Sequence, residues 1–210
     1  TESGYPFVLR AWRRGTPLSS ATEIMRGEAS DVSIAVQTLE DESGDHIAIA
    51  VESETFFESV YSLITLEGPQ RITLPRRASI RRYFQDRLIV TLEEAWSIGG
   101  REYAAGTLLA MPLATATLPN PLIEVIFAPT SRQSIEGVTS TSEALLVTGF
   151  DNVRGRLQRF TFANGTWRGE RVALPPTGVV SLAGASSSDA RAFVVFEDFL
   201  TPPTLYALDG

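Results

Sequence analysis

A single histidine, His46, limits the chemistry this chain could carry out alone. A serine–histidine–acid triad would have to run through it. No G-x-S-x-G elbow occurs, and the nearest serine cluster, Gly184-Ala185-Ser186-Ser187-Ser188, lacks the second glycine. No second histidine can complete an H-E-x-x-H zinc motif, and neither a G-x-G-x-x-G nor a P-loop is present. Cysteine is absent, which excludes disulfides, zinc–thiolate sites, iron–sulfur clusters and a thiol nucleophile. His46 is expected to be a solvent-facing residue at the edge of a turn. Carboxylates remain available. Glu93 and Glu94 could serve a two-carboxylate hydrolase, but that reaction needs carboxyls roughly 5–9.5 Å apart across one cleft, and sequence does not fix such a distance. Arg76, Arg77, Arg81 and Arg82 form the densest basic cluster. It could receive a phosphate or an acidic peptide, but the expectation is a solvated edge balanced by nearby acids. No catalytic residue, cofactor site or metal site is assigned, so no cofactor is expected.

The rest of the composition narrows the partners. The 210 residues carry 25 acidic and 18 basic side chains, all of the latter Arg, for a net charge of −7. A negative field argues against nucleic-acid and anionic-membrane partners. The most apolar stretch, 108–129, is broken by Pro112, Pro119 and Pro121 and falls short of a membrane span. The N-terminal residues lack a basic-then-apolar leader pattern and begin in strand-like sequence, as an excised piece would. The Asn164-Gly165-Thr166 acceptor pattern is read as a hairpin turn rather than a glycosylation site. The compartment stays unknown, with a soluble cytoplasmic chain favoured.

The elements that must position any site are strands. Val, Ile and Thr make up more than a fifth of the chain, and short apolar runs bounded by Gly, Pro, Asn, Asp and Ser recur without helical periodicity. The most apolar runs, 47–51, 88–92, 145–148 and 193–196, are expected to be buried on both faces. Each is preceded by a weaker strand (32–38, 80–84, 135–139, 179–183) and followed by a more amphipathic one (59–65, 107–112, 157–162, 204–208). Three units add a fourth strand before a proline (70–74, 123–127, 171–174), and two strands, 7–12 and 23–26, open the chain. The expectation is therefore 17 strands. A repeat of four antiparallel strands with a fixed order of strand character is the pattern of a β-propeller blade. The fold class is all-β, a partial propeller with about three complete four-stranded blades and partial blades at both ends. Its limits are 1–27, 28–75, 76–129, 130–175 and 176–210 within a single domain, 1–210. A β-sandwich is the competing fold.

Several phrases carry a family resemblance in their order and spacing. They are Ser3-Gly4-Tyr5-Pro6 with Trp12-Arg13-Arg14-Gly15-Thr16-Pro17, then Asp151-Asn152-Val153-Arg154-Gly155-Arg156-Leu157, then Phe199-Leu200-Thr201-Pro202 with Thr204-Leu205-Tyr206. Over essentially the whole chain these resemble the later propeller blades of prolyl oligopeptidase-family serine peptidases. The resemblance implies a non-catalytic segment. In the family, a seven-bladed propeller covers a separate α/β-hydrolase domain that holds the triad, and it admits only short peptides. The partners implied are that hydrolase domain and short peptide substrates. The missing blades also suggest self-association of the excised piece through its open edges.

In a propeller the loops joining second and third strands share one end, and the resemblance implies that this end faces the hydrolase. Here these loops are 52–58, 93–106, 151–156 and 197–203. Phe56, Phe57, Glu93, Trp96, Arg101, Asp151, Arg154, Asp198 and Phe199 are the candidate docking or gating residues, because aromatics and Arg anchor such contacts. The simpler reading has the aromatics folding back on their own blades, the charges pairing locally, and Asp151 with Arg154 flanking an Asx-type turn. The alternative function is a free-standing propeller or sandwich module that binds protein or carbohydrate.

Overall fold

The computed structural model describes residues 1–2, 4–175 and 177–209. Ser3 of the first phrase, and Pro176 and Gly210 at the limits of the last predicted blade, lie outside the described residues. The chain opens with a hairpin of β1 (Val8–Ala11) and β2 (Thr22–Arg26). Three four-stranded antiparallel sheets follow. The first holds β3 (Ser33–Glu40), β4 (His46–Ser53), β5 (Ser59–Thr65) and β6 (Gly68–Arg71). The second starts with β7 (Ala78–Phe84) and β8 (Arg87–Leu92). A small separate hairpin, β9 (Trp96–Ile98) and β10 (Arg101–Tyr103), then interrupts it. The second sheet resumes with β11 (Leu108–Pro112) and β12 (Glu124–Phe127). The third holds β13 (Gln133–Ser140), β14 (Leu145–Asp151), β15 (Arg154–Ala163) and β16 (Thr166–Arg171), and a three-stranded sheet of β17 (Val179–Ala185), β18 (Ala192–Glu197) and β19 (Thr204–Leu208) closes the described chain.

The sheets stack in chain order. Innermost strands lie side by side, β3 by β7, β7 by β13 and β13 by β17, while the outer strand β12 touches β16. The two-residue period of each strand decides which layer a side chain joins. On β8, Leu88, Val90 and Leu92 pack toward the first sheet with Ile49, Tyr61 and Ile72, whereas Ile89 packs toward the third with Leu145 and Phe160. On β14, Leu145 and Val147 face the second sheet and Leu146 faces the last, against Val180 and Val194. The core is thus three layers between successive sheets. A sandwich would have a single layer between two sheets, so the competing fold is set aside. No described strand pairs the first hairpin with the last sheet, and the ring is open.

The differences from the sequence reading have local causes. Leu88–Leu92 and Leu145–Thr148 are buried on both faces, because each lies between two sheets. In β4 only Ile49 and Ala50 are fully buried, and in β18 Phe193 is 42% exposed, because the terminal sheets have fewer neighbours. The outer strands start earlier than expected, at Gly68 and Thr166 rather than 70 and 171. Tight turns set this. Asn164 and Gly165 both have positive φ, which pairs Ala163 with Thr166. The β9–β10 hairpin, which raises 17 expected strands to 19, turns on Gly99-Gly100, with φ of 58° and 74°. His46 is exposed at the start of β4, just after the turn over 41–45, with Nδ1 4.0 Å from Glu40 Oε2.

Candidate functional site

The four connections between second and third strands lie at one end, and backbone hydrogen bonds tie the first three to the segments just before β7, β13 and β17. Ser59 N donates to the Arg76 carbonyl at 2.9 Å, and Arg76 forms an ion pair with Glu54. Glu93 N donates to the Arg77 carbonyl at 2.8 Å, and Asn152 N to the Arg132 carbonyl at 2.8 Å. Gly155 N reaches the Gly178 carbonyl at 2.8 Å.

Side-chain hydrogen bonds shape each loop. Thr55 Oγ1 accepts from the Phe57 and Glu58 amides at 3.2 and 3.0 Å, a turn that leaves Phe56 and Phe57 pointing into solvent, 83% and 76% exposed. Glu93 accepts from Ser79 Oγ at 2.7 Å and Glu94 from the Arg77 amide at 3.3 Å, so each acid anchors a neighbouring strand. Trp96 folds back. Its ring is 6.1 Å from that of Tyr103, and it packs on the layer between the first two sheets. The Arg101 guanidinium lies 5.0 Å above the Tyr103 ring. Asp198 Oδ1 accepts from the Leu200 and Thr201 amides at 2.8 and 2.7 Å. The Leu200 amide bond is the chief reason its carboxyl titrates below the usual carboxylate range.

The third connection departs from the expected Asx turn. Asn152 and Val153 both adopt left-handed backbone, φ 50° and 62°, in a two-residue hairpin turn. Asp151 and Arg154 are register partners on the backbone, but the Asp151 carboxylate lies 3.8 Å from Arg156 Nε instead. A β-branched residue in this conformation is costly, and Val153 is 89% exposed, so nothing in the described chain repays that cost.

Four predicted positions therefore fall into two pairs of neighbours. Arg154, Asp198 and Phe199 line one open groove of about 660 Å³, together with Val153, Val179 and Leu200. Asp151 sits beside it on the same turn. Phe56 and Phe57 belong to the first sheet's connection, and Glu93, Trp96 and Arg101 to the second's; none of these lines that groove. Val153, Val179 and Leu200 were not singled out from the sequence. The readable signal was the apolar Val153 and Leu200 inside segments otherwise built as turns.

One more acid at this end is perturbed. Burial, reinforced by the carboxylate of Asp31, raises the pKa of Glu52, the next-to-last residue of β4. Asp31 is buried and accepts from the Glu28 amide at 2.6 Å. A Cβ on Gly27 would lie 2.8 Å from Glu52 Oε1 and 2.9 Å from Asp31 Oδ2, so a side chain there would have to displace these carboxylates. Among the described residues, no group of three or more His, Cys, Asp or Glu could hold a metal ion.

Successive four-stranded sheets with inner strands arrayed in chain order and ring unclosed define an incomplete β-propeller. The profile of the family described as "Prolyl oligopeptidase, N-terminal beta-propeller domain" matches residues 2–210, and the chain belongs to that family. It is 30% identical to the "Uncharacterized peptidase y4nA" of Sinorhizobium fredii, over all of this chain and 30% of that protein. The structure of a post-proline cleaving enzyme from Rickettsia typhi superposes with a TM-score of 0.90 at 19% identity, covering 99% of this chain and 31% of that one. Oligopeptidase B from Trypanosoma brucei gives 0.69 at 12% identity, covering 97% and 29%. The chain thus spans less than a third of the length of these relatives, and their size implies a further domain in the parent protein.

Proposed function

We propose that this chain is the non-catalytic propeller portion of a prolyl oligopeptidase-like serine peptidase. Its loop end docks on a separate α/β-hydrolase domain and restricts access to short peptides. Its blades divide at 27/28, 75/76, 129/130 and 175/176. The nucleophilic serine chemistry belongs to the hydrolase, which matches a chain whose one histidine is exposed and beside a glutamate rather than a serine. One observation carries the docking reading. Among the described residues, six large hydrophobic side chains are more than three-quarters exposed, and five of them, Phe56, Phe57, Val153, Phe199 and Leu200, sit on connections at this one end. Only Leu66 lies elsewhere, in the β5–β6 turn. An apolar set concentrated on one end of a polar molecule marks a contact surface.

The test is made in the full-length protein with the double variant F199A/L200A. Hydrolysis of a short proline-containing peptide is compared with that of an unfolded protein chain containing the same site. The expected result is a marked gain of cleavage on the long chain relative to the short peptide. An unchanged ratio, with intact folding, would remove the groove from the gate.

A further inference from the structure

The four-arginine cluster does not behave as one solvated edge. Arg76 pairs with Glu54 and Arg77 is exposed, but Arg81 and Arg82 differ from every other arginine. Six of the 18 arginines have a carboxylate oxygen within 4.0 Å. Ten of the other twelve are exposed to solvent. Arg81 and Arg82 alone are half-buried with no carboxylate beside them among the described residues. Burial lowers the pKa of Arg82, and the charge of Arg81 adds to it. Two adjacent cations drawn out of water with no counter-ion form an arrangement that an anion would stabilise.

The local backbone explains how the pair arises. β7 slips register between Ile80 and Arg82, a bulge at which Arg81 is the extra residue. Arg82 reaches across to the neighbouring inner strand, where Nη2 donates to Thr139 Oγ1 at 3.2 Å, and its Nη1 donates to the Arg81 carbonyl at 2.8 Å. Arg81 uses only Nε, donating to Thr91 Oγ1 at 3.1 Å. Both its terminal nitrogens are left for a ligand, in the planar fork that suits a carboxylate.

Arg81 lines a groove of about 520 Å³ between the second and third sheets at the loop end, with Glu93, Thr130, Gln133 and Ser134. The Glu93 carboxylate lines this groove, and Glu136 follows the lining residue Ile135 in the chain. Glu93 is held by Ser79, and Glu136, on the matching bulge of β13, accepts from Ser134 Oγ at 2.9 Å. Neither forms an ion pair with Arg81 or Arg82. The Glu93 carboxylate disfavours a multiply charged anion such as pyrophosphate, and it offers an acceptor to the amide hydrogens of a chain.

We propose that Arg81, with the charge of Arg82 beside it, forms a carboxylate-binding subsite at the mouth of this groove and that its ligand is the free C-terminus of a short peptide. The inference rests on the peptidase reading above, and it is tested by binding so that the two can fail separately. A non-cleavable N-acetylated tetrapeptide is titrated into the full-length protein as the free acid and as the C-terminal amide, with acetate as competitor. The acid is expected to bind about tenfold or more tightly than the amide, since a charged hydrogen-bonded pair is lost in the amide. R81Q is expected to bring acid and amide to equal affinity. Equal binding of acid and amide by the wild type overturns the proposal, without recourse to any variant that fails to fold. Competition by acetate at the same concentration as the peptide acid also overturns it, since the site then reads only a small anion. If the acid preference is found but no peptide is hydrolysed, the subsite stands and the peptidase reading falls.

Discussion

Replacing Val153 by glycine should stabilise the isolated chain while weakening its contact with the rest of the parent protein. Val153 sits at φ 62° in a turn whose first residue, Asn152, also has positive φ. Left-handed backbone costs a residue with a Cβ about 1–2 kcal/mol. Glycine removes that cost but adds roughly 0.5–1 kcal/mol of unfolded-state entropy. The net expected gain is about 0.5–1 kcal/mol, a rise in Tm of roughly 1–4 °C for a domain of this size. Val153 is 89% exposed, so little native packing is lost. V153N should give a similar rise, because asparagine tolerates this region, and V153A should not. The assay is thermal unfolding of the three variants beside wild type. In the full-length protein the sign reverses for docking, because a valine buried at an interface contributes about 1.5–3 kcal/mol. A fall in Tm for V153G, or equal rises for V153G and V153A, would refute the strain argument. A V153G variant that is more stable but gates peptides as before would show that the strain serves no contact.

Other consequences follow from the packing and the charges. Glu52 has a raised folded-state pKa. Its contribution is therefore fully present below the ordinary carboxylate range and is lost as pH rises through the raised value. E52Q should flatten that dependence and be more stable than wild type at pH 7; denaturant titrations from pH 4 to 8 would check this. The Glu124 carboxylate accepts from Trp167 Nε1 at 2.7 Å and from Arg87 Nε at 3.1 Å, while Arg87 lies 3.8 Å above the Phe162 ring. E124A should cost about 1.5–3 kcal/mol by urea unfolding, since it leaves a half-buried cation and an indole N–H unpaired across two sheets. A Cβ at Gly149 would overlap the Ser134 carbonyl where β14 passes the β13 bulge, so G149A should destabilise by at least about 3 kcal/mol or prevent folding. The open edges of the terminal sheets predict self-association of the isolated chain, measurable as a concentration-dependent mass in light scattering.

The repeat was legible because it rests on burial. Runs such as Leu88–Leu92 and Leu145–Thr148 are apolar on both faces, and only a strand between two sheets can use such a run. The outer strands were misplaced because they are exposed and mixed in composition, like Thr166–Arg171, and there the turn rather than the apolar pattern sets the register. The β9–β10 hairpin was hidden in a connection read as one loop, although Gly99-Gly100 carried the turn signal. The candidate loops were found from chain order alone, but the conformation of their side chains was not. Trp96 is a docking candidate in sequence, and in the structure it is partly buried and packs against the core beside Tyr103. The Val153 strain depends on φ. The isolation of Arg81 and Arg82 depends on a bulge and on the lack of a described carboxylate within 4.0 Å, and neither is written in a one-dimensional spacing.

The most direct test compares the purified 210-residue chain with the full-length protein on a short peptide containing an internal proline and on a folded protein presenting the same sequence in a loop. The account predicts no cleavage by the isolated chain, cleavage of the short peptide by the full-length protein, and sparing of the folded substrate. Hydrolysis by the isolated chain, or equal cleavage of both substrates by the full-length protein, would contradict it.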